Sequence, residues 1–427
     1  MGTTGVGKSK FNAHVAVNLL TQGIPCSVID PHADLVHDIL GILHSHGFFQ
    51  QPNAYEKLWY VEFARAGRAI PFNILKQPYS VQTTVRNLLE ACFRTWPSLA
   101  DGAAPQFENI LQYSALVLAE NHLPITLTTK LLTDRAFREK LLHNCTHPPT
   151  IEFFHNRYEQ WEKHERTQSV ESYLRRIAIF TFTDTMRYSL GHQDNRLNFR
   201  RLMDKGISVL FNLGNLDSET RHLLGALIMV GFEQATLSRA DTLENQRQPY
   251  HLLVDEFPQF TSRSEEAFTT FLSEARKFRV TLWLSHQTGG QLSPRFQSAL
   301  QNTLPIFFQV GRPDSLWAAQ LFGTYDPYRV KHTVSDEQAI ERTHPLFWGL
   351  PEQFEEMAKI FEELKPQEAY IKLAHSPCRT WRGFCVPPCA RSTRCWSGRP
   401  TISSFTARRC RKRRCCTTTG TWRSSPS

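Results

Sequence analysis

The chain has 427 residues, of which 41% are hydrophobic and 21% are charged, so it can bury a large core and has room for roughly two or three domains. It contains no run of about 18 apolar residues and no apolar signal segment after its start, so we expect no membrane span in this sequence and a cytoplasmic location. The formal net charge of +9 arises in residues 376–427, because residues 1–375 hold 37 basic and 40 acidic side chains. Composition therefore does not by itself indicate a nucleic-acid partner.

The first element is a glycine-rich loop. Gly2-Thr3-Thr4-Gly5-Val6-Gly7-Lys8-Ser9 fits the pattern G-x-x-x-x-G-K-S and leads into a helical pattern over residues 11–20. In such a loop the backbone N–H groups surround phosphates, the lysine reaches the β- and γ-phosphates, and the serine binds magnesium. The sequence thus predicts a site for ATP and Mg²⁺ at residues 2–9, with a simple glycine turn as the alternative.

A phosphate loop normally follows a buried strand, and here only Met1 precedes the loop. A sheet without that strand would expose the edges of its neighbours. We therefore expect the recorded start to be late, or the chain to be a fragment.

The next element is a short apolar strand at residues 26–29, which ends at Asp30-Pro31-His32-Ala33-Asp34-Leu35, a turn and helix start. Strand ends of open parallel sheets line ligand crevices, so Asp30 is a candidate nucleotide-site residue. The alternatives are that Asp30 caps the following helix and that His32 is a surface residue.

The pattern then becomes helical. Helices are predicted over residues 83–93, 106–119, 128–144 and 150–163, with few candidate strands between them. This indicates an all-α insertion at residues 79–194, between the two parts of an α/β core at residues 1–78 and 195–375.

The second part of the core alternates strands with helices. Strands are predicted at residues 207–213, 252–254, 280–284 and 306–310, and helices at residues 219–238, 265–277 and 314–322. Such alternation is typical of a mostly parallel, doubly wound sheet.

Polar residues follow two of these strands. Asp255 and Glu256 end an apolar run, where Asp255 would bind magnesium and Glu256 would polarise the attacking water. Gln287 lies at the tip of the next strand and could sense the γ-phosphate by hydrogen bonding. The alternatives are a solvated acidic turn and a structural glutamine. Arg276, at the end of the preceding helix, would in isolation be a solvated helix-end cation.

Residues 376–427 are rich in Arg, Ser, Thr, Pro and Cys and contain seven of the ten cysteines. The basic run at residues 408–414 could bind phosphate backbone and the cysteines could bind zinc. Against zinc, the tail has no C-x-x-C pair and its cysteine spacings are irregular. Because it lacks hydrophobic periodicity, we predict a disordered or out-of-frame terminus.

Taken together, several motifs resemble the type IV secretion coupling proteins (TraD/TraG-like) and their HerA/FtsK-like relatives. The motifs are the loop at residues 2–9, Asp30-Pro31-His32-Ala33-Asp34-Leu35, Leu253-Val254-Asp255-Glu256-Phe257, and Glu274-Ala275-Arg276-Lys277-Phe278 leading to His286-Gln287. Gly311-Arg312-Pro313-Asp314 is similar to a late element of the same family. The resemblance covers residues 1–325, in the family's order and spacing.

This resemblance implies a RecA-like P-loop NTPase core with an inserted all-α domain, in a hexameric, ring-forming ATPase that translocates DNA. It implies that Lys8 and Ser9 bind phosphate and magnesium, and that Asp255 and Glu256 form the acidic pair. It further implies that Gln287 is a coupling glutamine and that Arg276 is an arginine finger acting on the neighbouring subunit's nucleotide.

The partners implied are DNA, further copies of the chain, and a conjugation or secretion machinery. Membrane-anchored coupling proteins carry N-terminal transmembrane helices, so membrane association is expected if such an anchor exists. Two alternatives remain: a type IV secretion assembly ATPase that acts on protein, and an inactive gene fragment that at most binds nucleotide.

Overall fold

The computed structural model of the protein describes residues 1–96, 105–261, 265–335, 343–372, 379–382 and 423–424. The predicted tail at residues 376–427 lies outside the described residues apart from the last two short segments. The chain forms two compact units. The first unit comprises Met1–His14 and Ser285–Ser427, and the second comprises Val15–Leu284.

A parallel five-stranded sheet forms the core of the second unit. Its strands are β1 (Cys26–Asp30), β2 (Leu58–Glu62), β3 (Ser208–Asn212), β4 (Tyr250–Val254) and β5 (Val280–Leu284), in the spatial order β2-β3-β1-β4-β5. All residues of β1 and β3 are buried, as expected for parallel strands covered on both faces, and this explains why their central residues are apolar without alternation. The mostly parallel sheet confirms the predicted α/β class. The edge strand β2 was not predicted, because three of its five residues are only half-buried.

The helices of the second unit span Asp34–Ser45, Ala54–Lys57, Val81–Thr95, Pro105–Glu120, Thr128–Thr133, Arg135–His143, Pro148–Glu152, Lys163–Ile177, Asp184–Leu190, Phe199–Asp204, Ser218–Ser238 and Glu265–Glu274. From residue 79 to 194 the described residues form helices and turns and no strand, as predicted.

Three helix predictions need correction. The predicted helix at residues 128–144 is two helices, because the Asp134 carboxylate accepts a hydrogen bond from Phe137 N (3.0 Å) and begins a new helix. The predicted helix at residues 150–163 becomes a π-helical turn at Phe153–Tyr158. The predicted helix at residues 265–277 ends at Glu274 and continues as a 3₁₀ turn, Ala275–Phe278.

The chain enters and leaves the helical region at adjacent points, because Phe72 and Asn195 form an antiparallel bridge. A buried ion pair attaches this region to the core: the Arg94 guanidinium donates two hydrogen bonds, of 2.7 and 2.8 Å, to the Glu233 carboxylate. Arg94 belongs to helix Val81–Thr95 and Glu233 to helix Ser218–Ser238, so this pair fixes how the two helices pack.

The first unit contains a second, antiparallel sheet. Its strands are β6 (Ile306–Phe307), β9 (Glu368–Ile371), β10 (Arg379–Arg382) and β11 (Arg423–Ser424), and a separate hairpin is formed by β7 (Val330–Ser335) and β8 (Thr343–Phe347). The helices of this unit span Pro294–Leu300, Asp314–Phe322 and Leu350–Glu362, and helix Lys8–Thr21 begins in it. The predicted strand at residues 306–310 is thus shorter than expected.

An aromatic core holds the first unit together, formed by Phe307, Phe322, Phe361 and Tyr370 with their rings 5.3 to 5.9 Å apart. The backbone before the glycine loop lies beside β6, because Met1 N donates to Ile306 O (2.8 Å) and Phe308 N donates to Met1 O (2.9 Å). In the part of the chain that the structure describes, no helix is long and apolar enough to cross a bilayer.

Candidate functional site

The glycine loop has a backbone that requires glycine. Gly5 and Gly7 have φ angles of +82° and +107°, in the region that residues with a Cβ atom rarely adopt. At Gly7 a Cβ atom would also lie 3.3 Å from the Cα atom of Gln367. Gln367 N donates a hydrogen bond to Val6 O (2.8 Å), which holds the chain near β9 against the loop. The spacing of the glycines therefore reflects the loop conformation.

Lys8 begins the helix that follows the loop. Its buried Nζ atom donates a hydrogen bond to Gly2 O (2.8 Å) and lies 3.4 Å from His286 O. Ser9 is half-buried in the first helical turn, where unsatisfied backbone N–H groups and the helix dipole favour an anion. An ammonium group at a helix N-terminus, beside a glycine-rich loop, is well suited to bind phosphate.

The predicted coupling glutamine lies at this loop. The Thr4 hydroxyl is 3.5 Å from Gln287 Oε1, although 283 positions separate the two residues in the chain. A second contact joins the same two segments, because Asn12 Nδ2 donates a hydrogen bond of 3.2 Å to the Ser285 hydroxyl. The first unit thus brings together the loop residues, Lys8 and Gln287.

The predicted acidic residues Asp30, Asp255 and Glu256 all lie in the second unit, at the ends of the neighbouring strands β1 and β4. Asp255 and Glu256 follow β4 and are buried, and Asp255 N donates to Ile29 O (3.0 Å) of the adjacent β1. Burial raises the pKa of Asp30, at the end of β1, and the nearby negative charge of Asp255 adds to this increase. Glu256 has φ 47° and ψ 46°, a left-handed conformation that is strained for a residue with a side chain.

Asp30 also caps a helix. Its two carboxylate oxygens accept hydrogen bonds from His32 N (2.8 Å) and Val36 N (3.0 Å), at the start of helix Asp34–Ser45. His32 is exposed. Asp30 therefore caps the following helix and His32 is a surface residue, which are the structural alternatives given for them above. A contact between Asp30 and nucleotide stays a prediction.

Asn212 was not identified from sequence. It is fully buried at the end of β3, paired in register with Asp30 on one side and Glu62 on the other. Its Nδ2 atom donates to the Tyr60 hydroxyl (2.9 Å), which donates to Glu62 Oε2 (3.0 Å). The signal was available, because Asn212 is a polar residue at the end of a predicted apolar strand, as Asp30 is.

Arg276 lies in the 3₁₀ turn before β5 and is exposed. Its guanidinium makes no hydrogen bond or ion pair with the described residues. The backbone after it is held firmly: Arg247 Nη1 donates to Lys277 O (2.6 Å) and Arg239 Nη1 donates to Phe278 O (3.2 Å). Arg276 is thus an exposed cation on an anchored turn.

Within the described ranges, no group of three or more His, Cys, Asp and Glu side chains could hold a metal ion. Magnesium at nucleotide sites is usually bound by one or two protein ligands together with phosphate oxygens and water. Two residues, Ser9 and Asp255, are predicted to bind it, and this stays a prediction.

A glycine-rich loop that opens a helix and a parallel sheet with acidic residues after its strands are features of the RecA-like P-loop NTPase fold. Solved structures of the bacterial conjugative coupling protein TrwB have this fold. The unbound monoclinic form gives a TM-score of 0.52 at 15% identity, covering 88% of this chain and 81% of that one. The chain therefore has the fold of the coupling proteins, as predicted.

Two further structures have the same fold. The plasmid coupling protein TrwB in complex with ADP and Mg²⁺ gives a TM-score of 0.52 at 16% identity, covering 88% of this chain and 82% of that one. VirB4 of Thermoanaerobacter pseudethanolicus gives a TM-score of 0.50 at 15% identity, and the match covers 88% of this chain and 86% of that one. No protein-family model matches the sequence, and no curated protein matches it.

Proposed function

We propose that this chain is an ATP-hydrolysing, ring-forming DNA translocase of the coupling-protein type, which moves DNA through the pore of a homo-hexamer. It would act in the cytoplasm or at the membrane, together with a conjugation or secretion machinery. The observation that carries the proposal is the 3.5 Å approach of Gln287 to Thr4, because it joins a strand-tip glutamine to a phosphate-binding loop. The fold shared with TrwB, which has been solved with ADP and Mg²⁺, supports it.

In this proposal the backbone of residues 2–9 surrounds the phosphates of ATP. The Lys8 Nζ atom, which donates to Gly2 O and lies 3.4 Å from His286 O, binds the phosphate oxygens through charge-assisted hydrogen bonds. Ser9 and Asp255 hold Mg²⁺, which neutralises phosphate charge when bound. The proposal requires Lys8 and Ser9 to share one nucleotide with Asp255 and Glu256.

Three further residues act on hydrolysis. Glu256 accepts a proton from the attacking water, and its backbone strain and burial are typical of functional carboxylates. Gln287 donates a hydrogen bond to the γ-phosphate. Arg276 reaches the nucleotide of the neighbouring subunit, where its exposed guanidinium stabilises the transition state.

The proposal is tested by measuring phosphate release from MgATP, with and without single- and double-stranded DNA. We expect DNA to raise kcat, and Lys8→Ala to abolish hydrolysis under both conditions. The exposed Lys10, two positions further along the same helix, provides the matched control as Lys10→Ala. Hydrolysis that is unaffected by DNA would argue against translocation.

The fold shared with VirB4 favours a second candidate, a secretion assembly ATPase that acts on protein. This candidate predicts hydrolysis that depends on Lys8 but not on DNA. The remaining alternative, an inactive fragment, predicts no hydrolysis at all. Equilibrium binding of a fluorescent ADP analogue then distinguishes a fragment that binds nucleotide from one that does not.

A further inference from the structure

The backbone that carries Gln287 is held by two side chains. Gln287 N and Thr288 N both donate to Gln291 Oε1, at 3.2 and 3.3 Å. The next N–H group, that of Gly289, donates to Asp314 Oδ1 at 3.0 Å, and this hydrogen bond is buried. Three successive N–H groups therefore each have a side-chain acceptor.

Asp314 comes from the Gly311-Arg312-Pro313-Asp314 motif, and its contact with Gly289 is close. A Cβ atom at Gly289 would lie 2.8 Å from Asp314 Oδ1 and 3.2 Å from Trp317 Cε3, so a larger residue would displace the turn. A charged acceptor in a buried position makes a stronger hydrogen bond than a neutral one.

Asp314 is itself fixed in place. It opens helix Asp314–Phe322, whose Ala318 and Phe322 are buried in the aromatic core of the first unit. Residues before and after it are tied to helix Leu350–Glu362, because Arg312 Nε (3.1 Å) and the Ser315 hydroxyl (2.7 Å) both donate to Glu362 Oε1. The carboxylate position is therefore set by the core and not by the loop that it holds.

We infer that Asp314 is a positioning residue for Gln287: its carboxylate holds the Gly289 turn so that the glutamine stays directed at Thr4 of the phosphate loop. This inference rests on the proposed function and assigns a role to a motif that the site did not otherwise use. A glutamine that senses the γ-phosphate must be oriented before the nucleotide binds, because a displacement of about 1 Å can cost about 100-fold in rate.

The first test needs no catalysis. Amide hydrogen exchange of the peptide covering residues 285–291 is measured in the full chain without nucleotide, for the wild type, Asp314→Ala and Asp326→Ala. Asp326 is the matched control, an exposed aspartate of the same unit whose carboxylate accepts from Tyr328 N (2.9 Å). We expect the amide exchange rate of this peptide to rise about 10-fold or more in Asp314→Ala only, because the Gly289 N–H group then loses its acceptor. Equal exchange in all three proteins would overturn the inference.

The second test is a double-mutant cycle on ATP hydrolysis. We expect Asp314→Ala to lower kcat about 10-fold with little change in KM, and Asp314→Asn, which keeps an oxygen acceptor, to recover most of the rate. In the Gln287→Ala background, Asp314→Ala should have no further effect, because its effect passes through Gln287. Additive losses would show a general structural role and overturn the inference. If the wild type does not hydrolyse ATP, the proposed function fails, and the exchange measurement still decides whether Asp314 holds the turn.

Discussion

Arg276 and Glu256 lie at opposite ends of the same pair of parallel strands. Tyr250, the first residue of β4, pairs with Val280, the first residue of β5. Arg276 precedes β5, whereas Glu256 follows β4, and a strand of five residues spans about 16 Å. The guanidinium of Arg276 is therefore remote from the acidic pair of its own chain, as a residue that acts on a neighbouring subunit should be.

Arg276→Ala should lower kcat for ATP by about 10³-fold, the usual contribution of an arginine finger. Mixing this variant with Lys8→Ala should restore activity, because an interface can combine Lys8 from one variant with Arg276 from the other. Random mixing at equal concentration should restore about a quarter of the wild-type rate in a head-to-tail ring.

The control for this experiment is Lys277→Ala, the exposed neighbour, whose ion pair with Glu274 is long at 3.7 Å. It should hydrolyse ATP at the wild-type rate. If the mixture of Arg276→Ala and Lys8→Ala stays inactive while both proteins assemble, Arg276 does not act across the interface.

The left-handed backbone of Glu256 predicts a separation of stability from activity. Glu256→Gly and Glu256→Ala both remove the carboxylate, but only glycine relieves a φ of 47°. We expect the free energy of unfolding, measured with urea, to be about 1 kcal/mol higher for Glu256→Gly than for Glu256→Ala. Both variants should lack ATPase activity, because both lack the carboxylate.

Glu108, exposed in helix Pro105–Glu120, supplies the comparison. There the order should reverse, with glycine less stable than alanine by about 1 kcal/mol. The same order at both positions would contradict the strain assigned to Glu256.

The Arg94–Glu233 ion pair should behave as a buried pair. The Arg94 side chain is fully buried and that of Glu233 is 10% exposed. Arg94→Met should therefore cost about 3–5 kcal/mol of unfolding free energy, because it leaves the buried Glu233 carboxylate without its partner. Glu233→Met should cost less, because Arg94 Nε still donates a hydrogen bond to Glu90 Oε1 (3.0 Å). The double variant should be more stable than either single variant in urea unfolding.

The exposed pair Lys76–Asp194, with an N–O distance of 2.7 Å, is the control. Lys76→Ala should cost less than about 1 kcal/mol, because solvent screens an exposed pair. A double variant of Arg94 and Glu233 whose loss equals the sum of the single losses would show that the two charges are not coupled.

His251 predicts a loss of stability in acid. Its Nδ1 atom accepts a hydrogen bond from Trp283 Nε1 (3.0 Å), and burial lowers the pKa of His251 below its ordinary value of 6.5. The unfolded chain therefore binds the proton more readily than the folded chain. Stability is fully present above pH 6.5 and falls as the pH drops toward the lowered pKa of the folded state, by at most about 1.4 kcal/mol per pH unit.

Urea unfolding between pH 5 and 8 checks this prediction. In His251→Gln the amide oxygen can accept the indole hydrogen bond without titrating, so the acid-dependent loss should shrink. The exposed His37 provides the control as His37→Gln, which should follow the wild type. If the free energy of unfolding falls equally with decreasing pH in the wild type and in His251→Gln, His251 is not the group responsible for the loss of stability in acid.

Local patterns determined much of this protein. The glycine spacing at residues 2–9 predicted a loop that has two positive φ angles, and the apolar runs predicted β1, β3, β4 and β5. These features can be predicted from local sequence, because positive φ angles favour glycine and strands buried on both faces favour apolar residues. The edge strand β2 was not predicted, because three of its five residues are only half-buried.

Only the tertiary structure decided which distant residues meet. The insertion of β3 between β2 and β1 places Asn212 beside Asp30, and helix Asp314–Phe322 brings Asp314 to Gly289. Such contacts are made by segments far apart in the chain, and the residues involved carry no periodicity that reveals their partners, so the sequence alone could name them but could not pair them.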